Sequence, residues 1–328
     1  MVSIKDIAAA CNVSTMTVSR AINGSDEISR ETKERILKMC DKMGYRPNAA
    51  ARNLVLNKTD MIGLVIPDIA NQYYAYMSKG VSSYLEKLGY GLVLCNSDRN
   101  ADNERRYLDF LTQRRVDGII LIPIRYHVED YANLVNVTPF VQVDNYVLDL
   151  NASYIGNDNY IGGRKIITHM LSLGYRRIGA ILSNKNSTAS NERLKGYLDA
   201  HREQGVAVDE DILLRSNATF EDGYKLAEVL IDKKVDAIFG INDTVALGVM
   251  KYCYNRRVKV PRDLGVAGYD DIEQAAMFPV PLTTVHQPKI RLGEAAATVL
   301  LNEINNENHQ KQKVILQPEL VVRKSCGE

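Results

Sequence analysis

From residue 61 onward, short unbroken apolar runs alternate with longer segments in which apolar residues recur every three or four positions. The runs 61–66, 91–95, 118–122, 177–182, 237–240 and 264–268 contain almost no polar interruptions, the mark of strands buried on both faces. The intervening segments 74–88, 103–114, 160–173, 192–204 and 244–254 carry the helical period. Strand and helix in alternation predict parallel sheets covered by helices on both sides. The text also repeats itself. Leu88-Gly89-Tyr90 is echoed by Leu173-Gly174-Tyr175, and Val116-Asp117-Gly118-Ile119 by Val235-Asp236-Ala237-Ile238. Two doubly wound parallel-sheet subdomains are therefore expected, at about 60–156 and about 157–283. The tail adds a helix near 291–305 and strands near 314–316 and 320–323. Its part within 284–316 is assigned to the first subdomain and 317–328 to the second.

Residues 1–45 read differently, as three helices. Ser3 with Asp6 forms a capping signal for a helix through about Ala10, and Asn12 suits the left-handed residue of a tight turn. Ser14 caps a second helix from Thr15 to about Ile22, stopped by Asn23-Gly24. A third runs from Ser29 to about Met43, with Ile36, Leu37, Met39, Cys40 and Met43 inward and Gly44 ending it. With Val18, Ala21 and Ile22 facing the first helix, the second shows Thr15, Met16, Thr17, Ser19 and Arg20 outward. Short side chains permit close approach to base edges, and an Arg can bond guanine or hold a phosphate, so this helix-turn-helix is a candidate DNA reader. A plain three-helix bundle with solvated faces satisfies the same pattern.

Between head and body, residues 46–58 contain a potential helix capped at Asn48 and propagated by Ala49, Ala50 and Ala51. It is shorter than the ~12–15 residues that an isolated helix needs in water. Leu54, Val55 and Leu56 have no evident core to join, so this hinge reads as a segment that folds against a partner.

Charge adds an asymmetry that the net value of +1 conceals. Up to Lys58 there are ten basic and six acidic residues, an excess of four, which leaves −3 on the remainder. A basic head on a mildly acidic body fits a nucleic-acid reader with a separate regulatory part. Cys11, Cys40, Cys95, Cys253 and Cys326 are scattered, which argues against a disulfide framework or a zinc site. The five histidines have no metal spacing, so no metal and no cofactor are expected. Neither a signal region nor a membrane-length apolar run is present, and the expected compartment is the cytoplasm.

Gly162-Gly163-Arg164-Lys165 superficially suggests phosphate binding but falls within a predicted helix. No nucleophile is set beside a base, so an enzyme is not expected. Polar residues do gather at strand ends: Asp144 after 140–143, Asn242-Asp243 after 239–241, and Asp270-Asp271 after 266–269, with Arg193 opening a helix. Asp243 reads first as the cap of the helix beginning at Thr244. Acceptors with one donating Arg, at the carboxyl ends of strands, suit a polyhydroxylated ligand.

The head motifs Ile4-Lys5-Asp6-Ile7-Ala8, Val13 through Gly24 and Gly44 through Arg52 resemble the lac repressor/gal repressor family. The body motifs Ile62 through Asp68, Arg115 through Ile120, Asn242 through Gly248 and Gly268 through Val285 extend the resemblance over nearly the whole chain. It implies an N-terminal all-α helix-turn-helix head and an α/β periplasmic-binding-protein-like body of two doubly wound subdomains. It further implies a homodimeric repressor that reads a pseudo-palindromic operator in double-stranded DNA. By motif position Thr15, Met16 and Arg20 carry base contacts, with Asn48, Ala51 and Leu54 placing the hinge on DNA and Leu54 as a minor-groove wedge. Asn12 stands where the family commonly has Gly, and Met16 where it often has a polar residue. Asp144, Arg193, Asn242 and Asp270 match effector positions, and Tyr73 and Tyr74 match the first-subdomain wall of the cleft. The chain has no Trp, so Phe220 or these tyrosines are the candidate aromatic platform, on which a sugar or a base could stack. No leucine-heptad tail follows the last strand, so a dimer and not a tetramer is expected. The rival readings are control by a phosphorylated carrier protein, and, from another class, a sugar-binding protein or sugar-modifying enzyme.

Overall fold

The computed structural model describes residues 2–22, 25, 27–46, 58–183, 187–306 and 310–327. The chain divides into two compact units, Met1–Thr59 and Asp60–Glu328. Most of the hinge, 47–57, lies outside the described residues, and Asn48, Ala51 and Leu54 with it.

The head unit contains α1 (Ile4–Cys11), α2 (Thr15–Ile22) and α3 (Arg30–Met43). Ser3 and Asp6 make a reciprocal capping box, and Asn12 takes the left-handed conformation at φ 53° that closes the turn. Ser14 Oγ accepts from the Thr17 amide at 3.0 Å, and Gly44 ends α3 at φ 65°. Ile7, Ala8, Cys11, Val18, Ala21, Ile36 and Cys40 form the core. Leu37, expected inward, is exposed, because Ile36 and Cys40 already set the buried stripe of α3.

In the body, β1 (Met61–Ile66), β2 (Gly91–Asn96), β3 (Gly118–Leu121), β4 (Phe140–Val143), β5 (Ser153–Asn157) and β11 (Lys313–Leu316) form one parallel sheet, ordered β11-β5-β4-β3-β1-β2. A second parallel sheet holds β6 (Ile178–Ser183), β7 (Leu213–Ser216), β8 (Ala237–Gly240) and β9 (Gly265–Ala267), ordered β7-β6-β8-β9. The antiparallel pair β10 (Thr284–His286) and β12 (Glu319–Val321) lies on two of the chain's passages between these lobes. The helices are α4 (Gln72–Lys87), α5 (Ala101–Gln113), the single turn α6 (Ala132–Val135), α7 (Asn159–Ser172), α8 (Thr188–Glu203), α9 (Phe220–Asp232), α10 (Asp243–Arg256), the short α11 (Glu273–Met277) and α12 (Lys289–Asn305). The tail helix α12 packs on α4 and against β3, β4 and β5, so it completes the first lobe.

Three helix pairs approach closely through glycines. A Cβ on Gly163 of α7 would meet the backbone of Arg193, and one on Gly196 of α8 would meet the Tyr160 carbonyl. Gly223 with Gly248 and Gly80 with Gly293 do the same for α9–α10 and α4–α12. The Gly162-Gly163 pair is thus a packing device inside α7, which fixes where Arg193 sits.

Candidate functional site

The carboxyl ends of the strands in both lobes converge on one cavity. Each strand delivers its contribution just past its last hydrogen-bonded residue, where parallel sheets present ligand-binding loops. Tyr73 and Tyr74 come from the start of α4 after β1, and Asp144 and Asn145 follow β4. Across the cleft Ser190 and Arg193 stand on α8, Asn242 follows β8 and Asp270 follows β9.

Arg193 is the fixed point. Its Nε donates to Asn159 Oδ1 at 2.8 Å and its Nη1 to the Ile241 carbonyl at 2.7 Å. The guanidinium lies over the Tyr269 ring, 3.7 Å from its centroid, and Nη2 is 3.8 Å from Asp270 Oδ1. Burial alone would loosen its proton, but Tyr269, Asp270, Asp144 and Tyr73 around it hold the charge firmly.

Two buried carboxylates face this one Arg. Burial raises Asp144, with Arg193 and the hydroxyl of Tyr73 pulling the other way. Asp270 is pushed up to about 6 by burial, opposed by Arg193 and Lys289. Both sit on left-handed backbone, Asp144 at φ 64° and Asp270 at φ 114°. The second value is far from the small basin open to non-glycine residues, and such strain concentrates at ligand sites.

A hydrogen-bond chain links the carboxylates through the interlobe passages. The Tyr73 hydroxyl donates to Asp144 Oδ1 at 2.9 Å and accepts from Asn157 Nδ2 at 3.3 Å. Asn157 Nδ2 also donates to Gln287 Oε1 at 2.6 Å, and Gln287 Nε2 donates to Asp270 Oδ1 at 2.6 Å. Lys289 Nζ donates to the Asp270 and Asp271 carbonyls at 2.6 and 2.9 Å. Ser190 Oγ, in the cavity wall, is buried without a partner among the described residues. Contacts between the lobes flank the cleft: Tyr76 donates to Glu273, while Ser187 Oγ donates to Asn145 Oδ1 at 2.6 Å.

Of the seven body residues picked from sequence, Tyr73, Tyr74, Asp144, Arg193, Asn242 and Asp270 line this cavity together. Phe220 is not among its lining residues; it opens α9 and packs against the second lobe's core, so the available rings are tyrosines. Asn242, and not Asp243, caps α10, accepting from the Val245 amide at 2.8 Å. Asp243 is fully buried, where it accepts from the Ile272 amide at 2.8 Å and the Thr284 hydroxyl at 2.5 Å. Burial and the neighbouring Asp270 raise it well above the usual range, which favours its neutral form. Sequence reasoning missed Asn157, Gln287, Lys289 and Ser190, and Tyr126, which also lines the cavity. An amide at a strand end or a serine in a helix carries no local signal of its neighbours across the fold.

In the head, Thr15, Met16 and Arg20 are exposed on α2, and Thr17 and Ser19 are half-buried. Met16 is 62% exposed, and Arg20 pairs with Glu27 at 3.1 Å on the surface. Such an exposed pair is weak and exchanges readily for a phosphate. Among the described residues no helix is long and apolar enough to cross a membrane.

Residues 3–48 match the model of bacterial regulatory proteins of the lacI family, and residues 167–326 that of a periplasmic binding protein-like domain. The chain is 35% identical over 327 residues to the HTH-type transcriptional repressor PurR of Vibrio campbellii, an alignment that covers 98% of each chain. The structure of the transcriptional regulator CelR in complex with cellobiose is similar at TM-score 0.76 and 29% identity, covering 99% of this chain and 100% of that one. A lac repressor dimer bound to operator and the anti-inducer ONPF shares the fold at TM-score 0.88 and 22% identity, covering 100% and 99%. With a helix-turn-helix head of that family and an α/β body of its fold, this chain belongs to the LacI family and is a DNA-binding transcriptional repressor, not an enzyme.

Proposed function

We propose that the body cavity binds a small polyhydroxylated effector, a sugar or sugar derivative, and that its occupancy sets the chain's affinity for a pseudo-palindromic operator. The observation that carries this reading is the pairing of two buried carboxylates, Asp144 and Asp270, with the single buried guanidinium of Arg193. That set has a surplus of acceptors, because Arg99, also in the cavity lining, pairs with Asp68 at 3.8 Å, and hydroxyl donors would satisfy both carboxylates at once. Tyr73 and Tyr74, edge to face at 5.2 Å, offer an aromatic wall for the C–H face of a ring. The cellobiose complex of a related regulator supports the sugar class.

Thr15, Met16, Thr17, Ser19 and Arg20 are the proposed base- and phosphate-contacting face, with the hinge at Asn48, Ala51 and Leu54 completing it in the minor groove. The acting unit is a homodimer. On the second lobe Tyr254, 73% exposed, lies together with Val258, Val260, Phe278 and Val280, and this apolar surface supports burial against a second copy. Effector binding would alter the lobe arrangement at the Tyr76–Glu273 and Asn145–Ser187 contacts and so the relative placement of the paired heads, a coupling of two sites.

Isothermal calorimetry of the intact protein against mono- and disaccharides tests the effector class. At least one sugar should bind in the wild type and fail in Asp144→Asn; a panel with no binder, or binding indifferent to that change, would remove the sugar assignment.

A further inference from the structure

A second cavity, of about 210 Å³, lies against the passage from β5 to α7 and shares with the first only Ala189 among its lining residues. Its walls come from both lobes: Tyr146, Tyr154, Asn157 and Lys313 from the first, and Thr188 and Glu192 from the second. Nothing in the reading given above for the effector or for DNA uses it.

The point of departure is Asn157, which lines this cavity and not the first, and is only 3% exposed. Its Nδ2 is engaged by the Tyr73 hydroxyl and Gln287, while its Oδ1 is buried with no partner among the described residues. A buried amide oxygen without a donor costs about 1–3 kcal/mol, and native folds rarely leave one so. An occupant that donates a hydrogen bond would satisfy it.

The remaining chemistry narrows the occupant. The Tyr146 and Tyr154 rings are tilted at 55° with centroids 4.7 Å apart, a surface for aliphatic C–H groups. The Tyr154 hydroxyl is committed to the Asp144 carbonyl at 3.0 Å, and Asp158 is committed to capping α7 through the Ile161 amide at 3.0 Å. Lys313 Nζ lies 5.7 Å from the Tyr146 ring centroid, and Glu192 lines the same cavity. The lining as a whole holds Asp158, Glu192 and Lys313, an excess of negative charge that disfavours an anion, while Lys313 beside the Tyr146 ring disfavours a cation there. A hydroxyl, which donates and accepts, fits between them.

We propose that this cavity is a second small-molecule site, selective for a compact neutral polyol. One hydroxyl donates to Asn157 Oδ1, others bridge Glu192 and Lys313, and the carbon chain rests on Tyr146. Asn157 gives this site a route to the first, because its amide also holds the hydroxyl that serves Asp144.

Saturation-transfer NMR and calorimetry on the full chain, with erythritol, ribitol and glucitol as probes, test it. At least one polyol should bind. Its Kd should rise by about tenfold or more in both Glu192→Gln and Tyr146→Ala, yet stay within about threefold in Asn242→Asp, which alters the first cavity, keeps the cap of α10 and lies outside the chain of hydrogen bonds through Asn157. Glu192→Gln keeps the size and packing of the side chain, so loss there is not a folding effect. Absence of polyol binding would leave the cavity to solvent and overturn the proposal. So would binding that is lost in Asn242→Asp and kept in Glu192→Gln, which would put the probe in the first cavity. Binding of glycine in place of every polyol, with the same dependence on Glu192, would overturn the chemical class.

Discussion

Replacing Asp270 by Asn should make the protein more stable while impairing its site. The carboxyl stands at about 6 in the folded chain against an ordinary 3.8, chiefly because burial disfavours its charge. The folded state therefore holds this proton more tightly than the unfolded state. Between about pH 4 and 6 folding takes up protons, so stability falls as pH rises and the full penalty is present above about 6. A rise of about two units at 1.36 kcal/mol each amounts to roughly 3 kcal/mol at neutral pH, an order-of-magnitude ceiling. Asn carries no charge, can still accept from Gln287 Nε2 through its Oδ1, and tolerates positive φ better than most residues. Urea denaturation of intact wild type and Asp270→Asn at pH 7.5 should show the variant ahead by up to about 3 kcal/mol, with the gap closing as pH falls toward 4. Effector affinity should drop in the same variant, the pattern of a site held ionised at a cost in stability. A variant no more stable at pH 7.5, or a gap independent of pH, would refute the reasoning.

Three further substitutions probe other parts of the account. Gly163→Ala puts a methyl group against the backbone of Arg193 and should cost about 1–3 kcal/mol in urea denaturation, with weakened effector binding because Arg193 is displaced. Tyr73→Phe removes the donor from Asp144 and should lose about 1–3 kcal/mol of stability. It should also move the pH midpoint of effector binding upward in calorimetry, since that hydroxyl now lowers the Asp144 carboxyl. Arg20→Ala should weaken operator binding by about 1–3 kcal/mol if it reads a base, with relaxed preference at one position, and should flatten the salt dependence if it holds a phosphate. Anisotropy against substituted half-sites across a salt series separates the two.

Periodicity made the fold's main elements legible. Long strands buried on both faces and helices of three or four turns announce themselves, and the structure keeps α7 and α10 within two residues of the expected bounds. Among the elements not singled out in the sequence, which include β5, β10 and α11, β7 and the helix α9 after it begin at an edge strand of four residues ending in Arg215-Ser216, where partial exposure erases the apolar run. Asp144, Asn242 and Asp270 were legible because each follows an apolar run that marks its strand, whereas Asn157 ends β5, whose residues 153–157 carry no such mark. Phe220 was misjudged because an aromatic at a helix start serves a core as well as a cleft, and only packing decides. The network through Asn157 and Gln287 joins residues 130 apart in the chain, a distance over which no pattern of neighbours carries information.

The central claim is that occupancy of the body cavity changes operator binding. Fluorescence anisotropy of the intact protein on a labelled pseudo-palindromic operator, with and without a sugar that binds the wild type, tests it directly. Operator affinity should change with the sugar by about fivefold or more, and this response should vanish in Asp144→Asn while operator binding without sugar persists. Equal operator affinity with and without a sugar that demonstrably fills the cavity would contradict the account.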